Sequence, residues 1–231
     1  EGATPVFWTV LGEVLTPGLG AALSPMLIVA AIVLGSAPSG PRKVFTFSTG
    51  VFVIMAVIGA LVVLGADKAE VATVPSRSEG GHILGLIVGI LLCGMAWLTY
   101  KNRPTNSEDS SSVQRLNSLD ALPYPRIFVM GMVLGLVNVK NIPLEISVGT
   151  NVVQTGAGVP LSLIGMLVFS AMACSTLVTP GVIVLAAPEK STRILGHARK
   201  VLIANNTAIM IVLYLMLGTN LISKSLGPLF A

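Results

Sequence analysis

"GLVNVKNIPLEISVG", residues 135–149, sets Lys140 and Glu145 inside an otherwise apolar stretch, with Asn138, Asn141 and Pro143 around them. An ionisable side chain at the centre of a membrane helix costs about 2.5–3.5 kcal/mol on insertion scales, so it normally faces a cavity or a partner. Ile142 precedes a proline and is biased away from helix, so residues 138–142 are expected to unwind. Unwinding would free backbone carbonyls and display Asn138, Lys140 and Asn141 to a polar interior. The bland alternative is that Lys140 lies shallow and snorkels its ammonium to an interface.

The whole chain supports a membrane setting. Its 231 residues are 53% hydrophobic and 10% charged, with 24 Gly and 14 Pro, and the mean hydropathy is +0.87, far above an ordinary soluble domain. The net charge of +4 does not point to nucleic acid, because the basic residues flank apolar runs. Apolar segments occur at about 6–34, 44–66, 82–101, 126–149, 157–187 and 202–226, and about 20 helical residues cross a hydrocarbon layer. The expected fold is therefore all-α and integral to the membrane, with six transmembrane helices. Strands are excluded because the segments lack barrel alternation. The first run opens without a basic n-region and reads as a span rather than a signal peptide.

Ten Lys and Arg fall in the connections after the first, third and fifth spans, and three (Lys68, Arg77, Lys224) on the other side. Both termini are thus expected outside. Residues 102–125, "NRPTNSEDSSSVQRLNSLDALPYP", read as a cytoplasmic linker, with "RLNSLDAL" a candidate interfacial helix. That linker divides the chain into three-helix units at 1–101 and 126–231. An odd number of spans per unit makes any repeat an inverted one, 3+3.

The first spans of the two units echo each other: "GLGAALSPMLIVAAIVLG" (18–35) and "MVLGLVNVKNIPLEISVG" (132–149) each run into a short polar break and resume as an apolar helix. The third spans echo more weakly, "LLCGMAWLTYK" (91–101) against "YLMLGTNLISK" (214–224). Paired interrupted segments point to a substrate site near the midplane. In the first break Ser24 is a natural N-cap and Pro25 a natural first helical residue, so the amides of a new half-helix would face the cavity. Pro17 and the "TPG" at 179–181 are further expected kinks or breaks.

Glu145 is a candidate partner of Lys140, a proton carrier, or a residue meeting outer water. Glu13, in "VLGEVLTPG", is a candidate proton coupler, a partner of Lys140, or an interface residue. Asn205, Asn206 and Thr207 read as an N-cap of the sixth span, and Asn220 as an interhelical hydrogen-bonding residue. Trp8, Trp97 and Tyr100 read as interface anchors. The methionines read as core or lipid-facing filler, and Cys93 and Cys174 as packing residues. His82 and His197 sit far apart, so no metal site is expected. Gly85 and Gly89 offer a face for close helix approach, including a homodimer. Neither an enzyme motif nor a cofactor motif is present, and transport is the simpler account.

"AALSPMLIVAAIVLGS", the turn at Pro41-Arg42-Lys43, "FSTGVFV", "GLVNVKN", "STLVTPGVIVLAAP" and "NNTAIMIVLYLMLGTNLI" together resemble the peptidoglycolipid-addressing (GAP) family, which includes the sulfolipid-addressing proteins and is placed in the lysine-exporter (LysE) superfamily. Where the family usually has Asn-Pro-Lys-Asn, Val139 here replaces the proline. The resemblance implies a six-span protein of a bacterial inner membrane that moves a lipid or glycolipid toward the cell surface. Lys140 and the half-helix at Ser24 and Pro25 would then receive an anionic head group. The rivals are export of a small water-soluble solute, an accessory role in a larger lipid-export machine, and modification of a lipid head group within the membrane.

Overall fold

The computed structural model describes residues 3–37, 39–72, 79–101, 122–138 and 140–229, and is helical with no strand among them. Its helices are α1 (Ala3–Ala22), α2 (Pro25–Gly35), α3 (Gly40–Ala72), α4 (Glu79–Lys101), α5 (Tyr124–Leu136), α6 (Asn141–Gln154), α7 (Gly158–Ala186) and α8 (Pro188–Leu229). The expected linker, but for its last residues, and the candidate interfacial helix lie outside the described residues, as does Val139.

Three helices are long and apolar enough to cross a membrane singly: α3 over Gly40–Lys68, α7 over Gly158–Ala186 and α8 over Pro188–Asn220. Two more candidates are bent pairs, α1 with α2 at 63° and α5 with α6 at 73°. The described residues thus hold three to five candidate spans. The expected third segment coincides with α4.

The first interruption falls where the sequence puts it, at Leu23-Ser24. The second, expected over 138–142, takes in Val137, Asn138 and Lys140 and ends earlier: Asn141 and Ile142 already belong to α6, because Pro143 falls in its first turn, where a missing amide donor costs nothing. Prolines elsewhere do not interrupt. Helix α1 runs through Pro17 and α7 through Pro180, since a membrane helix tolerates one missing amide donor where neighbouring groups re-satisfy the freed carbonyl. A second departure is the connection before the sixth span. It is not a loop: α8 begins at Pro188 and continues for 42 residues. Pro188 suits a first helical position, and the Ser191 hydroxyl donates to Pro188 O at 2.7 Å. Asn205, Asn206 and Thr207 therefore lie in mid-helix and cap nothing; Asn205 Nδ2 donates to Val201 O at 2.8 Å. Asn220 is exposed.

The two long rods α3 and α7 pack against each other, and each carries a broken pair: α3 lies on α5 and α6, α7 on α1 and α2. Contact of α3 with α5 is backbone on backbone. A Cβ added at Gly131 would strike Phe47 O, and one at Gly50 would strike Phe128 O. Helix α4 packs chiefly on α8 through Leu92, Ala96 and Tyr214. A Cβ at Gly89 would lie 2.9 Å from Gly218 O, so the glycine expected to serve a dimer face is spent within the chain. Gly35 sits where α2 ends among Val44, Pro180 and Leu195. That convergence gathers the starts of α3 and α8 with the end of α7, and hence Arg42, Lys43, Lys190 and Arg193, at one end of the bundle.

The end of α1 is tied to α7 by Thr176, whose hydroxyl donates to Ala22 O at 2.6 Å. Two stability predictions follow from these contacts, both read as thermal unfolding of the detergent-purified protein. Gly131→Val should lower stability by about 1–3 kcal/mol through overpacking against the α3 backbone, whereas Gly94→Ala, with open space around it, should not. Thr176→Val should cost about 0.5–1.5 kcal/mol by leaving Ala22 O without its hydroxyl donor, while Thr179→Val, whose hydroxyl bonds only its own helix at Ser175 O, should be near neutral.

Candidate functional site

A helix that stops leaves its last four carbonyls without intrahelical donors. For α1 these include Gly20, Ala21 and Ala22, and the chain supplies a donor to each. Lys140 Nζ donates to Gly20 O at 3.1 Å and to Ala21 O at 3.1 Å. The Ser24 hydroxyl donates to Ala21 O at 3.2 Å. Ala22 O accepts from Thr176 Oγ1 and from Ser24 N at 3.0 Å.

Lys140 is 1% exposed, and its third contact is Asn141 Oδ1 at 2.9 Å. Three acceptors around one nitrogen match the three hydrogens of an ammonium. Every acceptor is a neutral oxygen. The charge is met by the C-terminal end of α1, where the aligned peptides leave about −0.5 of an elementary charge. Snorkelling is excluded by this burial, and the two breaks, 120 residues apart in sequence, are joined through the lysine.

A second bond crosses the same gap. Asn138 Nδ2 donates to Ser24 Oγ at 2.9 Å. Ser24 stands at the N-cap position of α2 with Pro25 following, as expected, but its side chain makes no capping bond to α2. The hydroxyl turns back instead, donating to the end of α1 while accepting from Asn138. Ser24, Pro25, Lys140 and Asn141 are all buried, and Asn138 is half-buried. The five residues expected to form a substrate site thus occupy one junction.

The two acids stand apart from it. Glu145 is 1% exposed and its Oε2 has no hydrogen-bond partner. It is not bonded to Lys140, whose three hydrogens go to the oxygens already named. Its electrostatic neighbour is the Cys174 thiol on α7. Burial also removes the reading in which Glu145 meets outer water. Glu13 Oε2 accepts from Asn151 Nδ2 at 3.1 Å, joining the middle of α1 to the last turn of α6. Glu13 is therefore not a partner of Lys140 either.

Thr176 and Asn151 escape a sequence reading. A threonine in a helix ordinarily returns its hydroxyl to its own preceding turn, as Thr150 does to Ile146 O at 2.8 Å. Nothing in "STLVTPG" marks Thr176 as an exception. Asn151 was findable in principle, as an amide in an apolar segment, but its partner lies 138 residues away. Among the described residues no three His, Cys, Asp or Glu side chains converge as a metal site would require.

What the junction offers chemically is a sealed lysine amine, lined by hydroxyl, amide and carbonyl groups, where two interrupted helices touch. No curated protein and no solved structure matches this chain. A family model does, over residues 14–227: that of Sap, the sulfolipid-1-addressing protein. The match takes in both breaks, the junction and all but the ends of the chain, and the protein belongs to the sulfolipid-1-addressing protein family.

Proposed function

We propose that this protein is a membrane carrier that moves an anionic lipid or glycolipid toward the cell surface through the polar junction of its two broken helices. The observation that carries the reading is the Lys140 ammonium, buried with neutral oxygens and without a carboxylate. Three neutral acceptors around one nitrogen suit the ammonium form, and a sulfate or phosphate ester is the chemistry that complements that form. Membership in a family described by the addressing of a sulfolipid agrees with that choice.

The reading takes the chain as six spans in a 3+3 inverted repeat, with α1–α2, α3 and α4 answering to α5–α6, α7 and α8. Two features support it. Both units open with a helix pair bent by more than 60°, and the packing exchanges between units, α3 lying on α5 as α7 lies on α1. In this scheme the head group displaces the α1 carbonyls from Lys140 and is received by Asn138, Asn141 and the start of α2. Acyl chains stay among lipid-facing Leu, Ile, Val and Met side chains. No nucleotide-binding motif is present in the sequence, so an ion or substrate gradient or a partner would drive the cycle. Glu145, with an oxygen free of hydrogen bonds, is better placed than the Asn151-bound Glu13 to carry a coupling proton.

The test is lipid movement between leaflets of vesicles holding purified protein, followed with a labelled sulfated glycolipid and its uncharged analogue. Wild type should move the sulfated lipid at least about tenfold faster than protein-free vesicles, and Lys140→Gln, checked as folded by size exclusion and circular dichroism, should lose about tenfold, the rate equivalent of 1.36 kcal/mol. Gln is the cleaner replacement, since Ala would take the side-chain donor from Gly20 O and Asn141 Oδ1 and leave Ala21 O with Ser24 alone. Folded wild type that moves no lipid, or a folded Gln variant as fast as wild type, overturns the reading.

A further inference from the structure

The oxygens around Lys140 Nζ form a site in their own right. Gly20 O, Ala21 O and Asn141 Oδ1 come from two different elements and surround the nitrogen at 3.1, 3.1 and 2.9 Å. The first two are backbone oxygens at the negative end of α1, and carbonyls freed at helix ends inside membranes are the groups with which carriers coordinate a coupling cation. No carboxylate contributes, so the site is matched to a single positive charge rather than to a divalent ion. The lysine reaches it from the opposite break and is sealed from solvent.

We propose that the end of α1 and Asn141 make a monovalent-cation site whose resident cation is tethered, the ammonium of Lys140. The closed contact between α1 and α6 is then the cation-bound state, and no free ion is needed to hold it. The ligand class follows: with the tether removed, the site takes a primary alkylammonium or a monovalent metal ion of similar radius. The lysine serves as a latch on α1, since any group that draws the ammonium away leaves Gly20 O without its side-chain donor and Ala21 O with the Ser24 hydroxyl alone.

The experiment uses the full chain bearing Lys140→Ala, purified in detergent. Truncation to Ala leaves a gap the length of n-propylammonium. Melting is followed by tryptophan fluorescence in the chlorides of N-methyl-D-glucamine, sodium, potassium and n-propylammonium at equal ionic strength. In N-methyl-D-glucamine chloride the variant should melt at least about 5 °C below wild type. Propylammonium should restore more than half of that loss, rising with the logarithm of its concentration, while wild type, its site already filled, should not respond. If Lys140→Ala gives no folded protein, the readout becomes the monodisperse yield after solubilisation, which propylammonium should raise at least threefold over N-methyl-D-glucamine. Lys140→Met, of similar length but uncharged, should stay destabilised and respond to no cation.

Equal behaviour of the Ala variant in all four salts, an equal response from wild type, or a Met variant as stable as wild type would each overturn the cation site. The measurement contains no transported lipid. A negative result therefore leaves lipid movement standing, and a failure of lipid movement leaves the cation site standing.

Discussion

A helix that ends inside an apolar layer exposes carbonyls that no water can reach, and the structure is organised around satisfying them. Each such group left unpaired would cost several kcal/mol in lipid. Gly20, Ala21 and Ala22 end α1, and their donors are Lys140, Ser24 and Thr176. Two of those donors come from distant parts of the chain, so α1 can stop at Ala22 only if α6 and α7 are in place. The arrangement is reciprocal. The start of α6 supplies Lys140 to the end of α1, and Asn138, just past the end of α5, reaches Ser24 at the start of α2. Each break is completed by the other, and an interruption that alone would destabilise its helix becomes the joint between the two bent pairs.

That joint needs walls that hold position, and α3 and α7 provide them. The buried core runs through Phe47, Val51 and Met55 of α3 and Met166, Phe169, Ala173 and Leu177 of α7, with α1, α2 and α6 packed around it. Where α3 meets α5 the side chains vanish, Gly50 and Gly131 each lying against the other helix's backbone. Such close approach substitutes van der Waals contact for the hydrophobic effect, which gives no preference between helix and lipid in a bilayer. The α4–α8 pair has its own small core of Leu92, Ala96 and Tyr214. It borders the junction where Leu217 of α8 lies against Gly20, while the hydrogen bonds of the junction come from α1, α6 and α7 and the two breaks.

Much of this was legible in the sequence because the signals are local. Apolar length located the spans, Ser24-Pro25 and Asn138 to Pro143 located the breaks, and the cost of a charge in lipid singled out Lys140. The failures are instructive in the same terms. Of the kink or break expected at Pro17 and Pro180, the break is absent, and both sit in continuous helix, because whether a proline breaks a membrane helix depends on what repairs the freed carbonyl. "STRILGHARK" looked like a connecting loop by its charges, but it lies within helix α8. Two of the three acceptors of Lys140 were out of reach, being backbone atoms about 120 residues away. A sequence displays donors as side chains and hides acceptors in the backbone. The lysine was therefore readable as buried but not as spoken for.

The spacing of the two charges in the opening stretch decides what the junction can do. Lys140 and Glu145 are five residues apart, and Lys140 itself has helical backbone angles, φ −72° and ψ −27°. At about 100° per residue, five steps carry a side chain about 140° around the axis, whereas three or four would bring the pair face to face. Lys140 accordingly points to α1, and Glu145 has its electrostatic neighbour on α7, at Cys174. Had they paired, the junction would hold an ion pair instead of a lysine bonded to neutral oxygens alone. Kept apart, they leave a cation held only by carbonyl and amide dipoles on one side of α6 and an acid with an unbonded oxygen on another. The partial charge at the end of α1 offsets about half of the lysine's. On the function proposed above, the remainder is what a negatively charged head group competes for.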